Sequence, residues 1–230
     1  KQMFAVCSQL GILSFDNFHH IPYGFVLGKN NSGKAEKMAS RKGSQVYVDD
    51  LINSSKEKIK SLIKKDFSES ERDEISEKLS IASIKYSLLK VERTKDLVFD
   101  IESSISFDGD SAPYIIYTYT RAKTLIDQYN KVFDLSNISG LESESEVNVL
   151  KILNEFGDIV LEASKSYEPY LVANYLFRLS QAFNNFYNTL SILKAENIEV
   201  IDSRVKLSAS VAQVIKNGLN LLGIQTVEKM

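Results

Sequence analysis

Between Gly28 and Gly43 the chain carries five cations, Lys29, Lys34, Lys37, Arg41 and Lys42, against one acid, Glu36. Glycines let backbone N–H groups approach an anion, and Lys and Arg supply countercharge to phosphate. This is the composition of a phosphate-handling loop, although a solvated basic loop with no ligand has it too. Apolar runs flank it, Phe25-Val26-Leu27 before and Val46-Tyr47-Val48 after. They predict a short strand pair at 25–27 and 46–48, holding a loop over 29–42 that is poorly ordered because it has no apolar anchor.

A second candidate stripe lies at Tyr114, Tyr117 and Arg121. The spacing i, i+3, i+7 places all three on one face of a helix. Two rings and one cation suit single-stranded nucleic acid, with rings for base stacking and a guanidinium for phosphate. Burial of both rings with their hydroxyls at the rim is the packing alternative. His19 and His20 are adjacent, so they share no helix or strand face, and no Cys, Asp or Glu cluster accompanies them. A loop role is expected for both. One cysteine, Cys7, excludes an intrachain disulfide and a Cys-rich metal site, and suits a reducing compartment.

Composition bounds the rest. A net charge of −2 over 230 residues gives no global basic excess, so any RNA site is local. Hydrophobic residues at 43% and charged residues at 25% fit an ordinary globular protein. No apolar run approaches the ~18 residues of a bilayer span, and no signal peptide is visible. The chain opens at Lys1 within helical periodicity, which reads as a fragment lacking its original N-terminus.

The positioning elements are mostly helices. Met3, Val6, Leu10 and Leu13 predict a buried helix over 3–13, closed near Gly11. Asp49 is a candidate N-cap for a helix to about Lys65 with a solvated lysine face, Lys56, Lys58, Lys60, Lys64 and Lys65. Ser70-Glu71-Arg72-Asp73 has a capping-box pattern. Leu79, Ala82, Ile84, Tyr86, Leu88 and Leu89 are expected to pack. Gly109 permits a positive-φ turn, Asp110 or Ser111 can cap, and Pro113 fits a first turn, predicting a helix over 113–130. Further helices are expected over 146–166, from Pro169 to about Leu193, and around Leu207–Leu222. Gly218 would allow close helix packing, and 196–203 reads as a polar connection.

Lys37-Met38-Ala39-Ser40-Arg41 resembles the second signature of class I aminoacyl-tRNA synthetases, Lys-Met-Ser-Lys-Ser in generic form. Extended to Lys42-Gly43, it is similar to the Lys-Met-Ser-Ser-Arg-Lys-Gly of the arginyl branch. Ala39 stands where serine is usual, and Ser40 where the generic motif has its second lysine. The loop therefore leans on Lys37, with Arg41 and Lys42 as stand-ins. His20 sits near a family His-x-x-aromatic-Gly string. The passage 84–100, the string Gly109-Asp110-Ser111-Ala112-Pro113-Tyr114, the Tyr-x-x-Tyr-x-x-x-Arg helix and the ending Gly223-Ile224 to Met230 resemble the same branch in the same order.

The resemblance implies a mainly α fold. A helical bundle of the class Ia anticodon-binding type, residues 67–230, would follow a small α/β remnant of the Rossmann-type catalytic domain, residues 1–66. It implies the C-terminal part of an arginine–tRNA ligase. Lys37, Arg41 and Lys42 would be catalytic, and Lys37, Met38 and Ser40 would bind ATP. Tyr114, Tyr117, Arg121, Tyr187 and Met230 would bind the anticodon, with Met230 folded back onto the bundle. Partners would be tRNA-Arg and, for the parent, ATP with its Mg2+ and L-arginine. The fragment would hold no metal. The protein would be cytoplasmic and monomeric, with no membrane contact. The His-x-Gly-His signature and the amino-acid pocket are not in this stretch, so alone it should bind tRNA weakly and catalyse nothing. The rival is a synthetase-like helical module for protein–protein interaction. A cysteinyl-type synthetase is a third reading, which Arg41-Lys42-Gly43 and the arginyl-type ending argue against.

Overall fold

Helical periodicity governs the chain from residue 48 onward, and the architecture follows it. The computed structural model describes residues 2–12, 14–29, 35–37, 47–63, 66–131, 138–195 and 197–230. Helix α1 spans Gln2–Gln9 and strand β1 Val26–Lys29; β2 is Ala35–Lys37 and β3 Leu97–Val98. The sheet order is β2-β1-β3, with β2 antiparallel and β3 parallel to β1. The bundle comprises α2 (Val48–Leu62), α3 (Glu69–Leu89), α4 (Ile101–Ser104), α5 (Ala112–Tyr129), α6 (Glu144–Asn154), α7 (Phe156–Ser166), α8 (Tyr170–Thr189) and α9 (Ile198–Leu221).

Several local expectations shift, each for a physical reason. Helix α1 ends near Gly11, whose φ is +70°, but buries none of its residues. The second strand of the pair does not form at Tyr47 and Val48. Asp49 and Asp50 favour a helix start there by their charge at its N-terminus, and Val48 opens α2 with Tyr47 as an extended N-cap. The partner of β1 comes instead from inside the basic stretch, with Leu27 opposite Lys37 and Lys29 opposite Ala35. The lysine face of α2 is engaged. Lys60 reaches Glu69 at 2.5 Å and Asp73 at 2.7 Å, Lys56 reaches Glu77 at 3.2 Å, and Lys58 meets Glu102. Lys64 and Lys65 lie outside the described residues.

The capping box of α3 begins two residues earlier than the sequence pattern suggests. Ser68 caps, and Glu71 returns a carboxylate to the Ser68 N–H at 2.8 Å, because Glu spans that reciprocal pair and Asp73 is a methylene short. Leu88 is 42% exposed, since it lies about 200° around the helix from the fully buried Tyr86. The expected helix over 146–166 is two. Tyr175 donates its hydroxyl to the Ile152 carbonyl at 3.0 Å, and the Glu155 N–H turns tightly onto the same oxygen at 3.1 Å. The carbonyl that would continue α6 is thereby occupied. The polar connection ends early, with Asn197 capping α9 through the Glu199 N–H at 2.8 Å.

The core lies among α3, α5, α8 and α9, and α2 contributes Ile59 and Ile63 to it. A Cβ on Gly218 of α9 would stand 2.6 Å from a methyl of Leu176, so glycine sets the approach of α9 to α8. After α9 the chain turns at Gly223, φ +67°, and buries Ile224 and Val227. Lys85 donates to the Gly223 carbonyl at 2.6 Å, and Tyr119 donates to Glu228 at 3.1 Å.

Candidate nucleic-acid interface

Helix α5 begins where its sequence requires. Gly109 takes φ +79°, and the Ser111 hydroxyl accepts from the Tyr114 N–H at 3.3 Å. Pro113 sits in the first turn, where no N–H is needed. From this fixed start the stripe is displayed along the helix. Tyr114 is half-buried and meets Phe177 of α8 edge-on, with ring centroids 5.7 Å apart. Tyr117 is 38% exposed. Helix α8 brings Tyr187, 37% exposed, to the same place.

The Arg121 guanidinium lies between the two rings. It stands 4.7 Å from the Tyr117 centroid and 4.8 Å from that of Tyr187. Its edges are also held. Nη1 donates to Asn184 Oδ1 at 2.6 Å, and Nη2 donates to the Tyr117 hydroxyl at 3.1 Å. A cation over a ring face gains about 0.5–2 kcal/mol, more as solvent is excluded. Two such contacts make an ordered ring–cation–ring stack at the rim of the bundle. Each tyrosine retains exposed surface, so the arrangement can take an unpaired base by stacking and a phosphate by charge.

The sequence-derived set is therefore partly assembled. Tyr117, Arg121 and Tyr187 come together, and Tyr114 packs beside them against α8 rather than on the cation. Met230 packs on the core, but the residues before it run along a different side. Thr226–Lys229 line a hollow with Phe67, Glu71, Ile75 and Lys78, and Glu228 is tied to Tyr119. Tyr119 lies about 200° around α5 from both Tyr117 and Arg121. Burial pushes the Tyr119 hydroxyl pKa up, and its bond to Glu228 adds to the rise. Asn184 and Thr118 were missed as functional candidates. The amide pair Asn184-Asn185, interrupting an apolar stripe, was the available signal.

Of the loop residues, Lys37 is the last residue of β2, and nothing is described of its side chain. Met38, Ser40, Arg41 and Lys42 lie outside the described residues. Among the described residues no three His, Cys, Asp or Glu side chains gather to hold a metal. No described helix is long and apolar enough to cross a membrane.

Residues 115–230, more than half the chain, match the DALR anticodon binding domain. The chain belongs to the DALR anticodon-binding family. The DALR segment contains Tyr117, Arg121, Asn184, Tyr187 and Met230, while Tyr114 precedes its start by one residue. Residues 1–101 match the catalytic domain of class I (R) tRNA synthetases and include the whole basic stretch. An arginine–tRNA ligase of Clostridium botulinum strain Langeland is 36% identical over 231 residues, covering 100% of this chain and 40% of the relative. The chain thus spans about two fifths of the length of that relative. The solved arginyl-tRNA synthetase of Thermus thermophilus has a TM-score of 0.85 at 24% identity, over 99% of this chain and 38% of the other. That of Plasmodium falciparum has a TM-score of 0.74 at 25% identity, over 100% and 40%. These likenesses agree with the fold described: a helical bundle that holds the DALR match, behind a small three-stranded sheet within residues 1–101.

Proposed function

We propose that this chain is the anticodon-binding part of an arginine–tRNA ligase, together with the loop that serves its ATP. The observation that carries the reading is the Tyr117–Arg121–Tyr187 stack at the rim of a DALR bundle. Residues 67–230 form the anticodon-binding domain and residues 1–66 belong to the catalytic domain. Tyr114, Tyr117, Arg121, Tyr187 and Met230 are the candidate anticodon residues.

In the parent, a carboxylate oxygen of arginine attacks the α-phosphorus of ATP. The bond to pyrophosphate breaks, and the arginyl group then passes to the terminal ribose of tRNA-Arg with AMP leaving. Lys37, Arg41 and Lys42 would oppose the charge that develops on the phosphates, and Met38 and Ser40 would line the same loop. Mg2+ would arrive with ATP. The proposal carries with it a monomeric, cytoplasmic protein. The rival protein-interaction module has no matching observation.

The test is a salt series of tRNA binding by this chain, comparing tRNA-Arg with bulk tRNA. Tyr117→Ala should cost about 1–3 kcal/mol of tRNA-Arg binding, the value of one stacked base. Arg121→Ala should reduce the salt slope by about one ion. Equal binding of both RNAs by the folded protein, or unchanged binding by both variants, would overturn the reading. In the parent, Lys37→Ala should slow adenylate formation by roughly two to three decades. Wild-type pyrophosphate exchange in that variant would remove Lys37 from the mechanism.

A further inference from the structure

We infer that Asn184, oriented by Thr118, is the residue that positions the Arg121 guanidinium between its two rings; this rests on the anticodon reading above. The hydrogen-bond chain is continuous. Arg121 Nη1 donates to Asn184 Oδ1 at 2.6 Å, and Asn184 Nδ2 donates to Thr118 Oγ1 at 2.8 Å. The Thr118 hydroxyl donates to the Tyr114 carbonyl at 2.9 Å. Arginine has donors and no acceptor, so the amide can present only its oxygen to Arg121. Its nitrogen must then face Thr118, which has to accept, and the Thr118 proton is left for the backbone. Each orientation is dictated by the one before it, and the series has a single sense.

The partners are buried. Thr118 is fully buried and Asn184 is 8% exposed. A rotated amide there would face a donor with a donor, leaving polar groups unpaired away from water. The chain begins and ends on α5 and passes through α8, so it also fixes the two helices at the one place where the stack needs both. Neither Thr118 nor Asn184 is exposed enough to meet RNA. They act through Arg121 and are positioning residues. Without the Asn184 oxygen, Nη1 loses its acceptor and the guanidinium is free to leave the rings for solvent. The two rings then lose the cation they share.

The discriminating substitutions leave shape almost unchanged. Thr118→Val removes the acceptor and keeps the volume, while Thr118→Ser restores it. The probes are two RNA hairpins, one with the anticodon stem and loop of an arginine tRNA, the other with an unrelated anticodon. Binding is measured on the 230-residue chain together with melting temperature. Thr118→Val should weaken binding of the arginine hairpin about fivefold, a coupling within the usual range for contacting residues. Thr118→Ser should stay within about twofold of wild type, and the double variant Thr118→Val/Arg121→Ala should be no weaker than Arg121→Ala, since both cut one series. In parallel, NMR of the Arg121 side-chain Nε–H reads the stack directly. Its ring-current shift should fall in Thr118→Val and persist in Thr118→Ser.

If Arg121→Ala weakens binding while Thr118→Val does not, or if the two losses add, the positioning role of Asn184 is overturned and the anticodon reading stands. If wild type shows no preference for the arginine hairpin, the anticodon reading falls, and the role in RNA binding falls with it. The NMR arm still decides whether Asn184 holds Arg121. An unchanged Arg121 resonance in Thr118→Val would overturn that too.

Discussion

Helix α1 and helix α8 carry the same kind of apolar period and meet opposite fates. In α8, Tyr175, Leu176, Leu179 and Phe183 are almost wholly removed from solvent. In and just after α1, Met3, Val6 and Leu10 are 68%, 54% and 70% exposed. Period and composition state which face a helix would bury. Whether that face is covered depends on what the topology brings to it. The α8 face meets α5, α6, α7 and α9, whereas α1 contacts little beyond the short helical turn Phe15–Asn17. The small sheet is intermediate. It is linked onward by backbone, through Gly24 N–H to the Arg93 carbonyl at 2.7 Å and the parallel pairing of β1 with β3, and by two side chains, Arg93 donating to the Pro22 carbonyl at 2.9 Å and Asp96 accepting from the Phe25 N–H at 2.8 Å.

The contrast can be pressed at four places. Leu179→Ala removes a fully buried side chain from α8 and should cost about 2–5 kcal/mol, read by denaturant titration. A cost below about 1 kcal/mol would mean the bundle core yields more than its burial indicates.

Glu146 is the next largest. Burial alone would raise its carboxyl pKa, but the Arg204 guanidinium at 2.6 Å and the Ser143 amide at 2.9 Å overcome this and hold it low. Glu146→Ala takes the carboxylate partner from Arg204, leaving it only the Ser191 carbonyl, and opens the Ser143–Glu146 capping box of α6, a loss of about 3 kcal/mol. The folded carboxyl binds its proton less readily than the unfolded one. The stability it contributes is therefore complete above about pH 4.5 and is lost as pH falls through the folded value. Glu146→Gln should make the acid limb of a stability–pH curve shallower; an unchanged limb would exclude Glu146 as its source.

Gly24→Ala addresses the sheet. A Cβ there would stand 2.2 Å from the Lys95 carbonyl oxygen, a backbone atom with nowhere to swing. The segment should detach, with faster hydrogen exchange at the Leu97 and Phe99 amides, which pair with Phe25 and Leu27, and about 1 kcal/mol or less off the bundle. Exchange accelerated equally throughout the bundle would show one cooperative unit where two are argued. Smallest of all, Val6→Ala on α1 should stay within about 0.5 kcal/mol of wild type.

The same contrast explains what could be read from the chain beforehand. The start of α5 was legible because Gly109, Ser111 and Pro113 act within six residues of one another. The close approach at Gly218 was legible because a glycine inside a helix is costly unless contact requires it. The break at Glu155 was not, since the hydroxyl that causes it belongs to Tyr175, on another helix. Nor was β2. Ala35-Glu36-Lys37 has no strand preference of its own and is a strand only because β1 lies beside it. At the candidate interface, helical spacing gave Tyr117 and Arg121 a common face. It gave no sign that Arg121 would be clasped from both sides, or that Thr118, on the inward side of α5, would decide how.

The strap after α9 has a consequence in time. Ile224 and Val227 belong to the core, and Glu228 closes onto Tyr119, more than a hundred positions earlier. Translation adds residues in order, so every helix of the bundle exists before the segment that seals it. The nascent bundle must therefore wait, with the hollow beside Phe67 and Ile75 uncovered, until the last of these residues has left the ribosome. Its closing is a late event of long sequence separation, the kind that is slow to form and leaves apolar surface open to wrong partners in the interval.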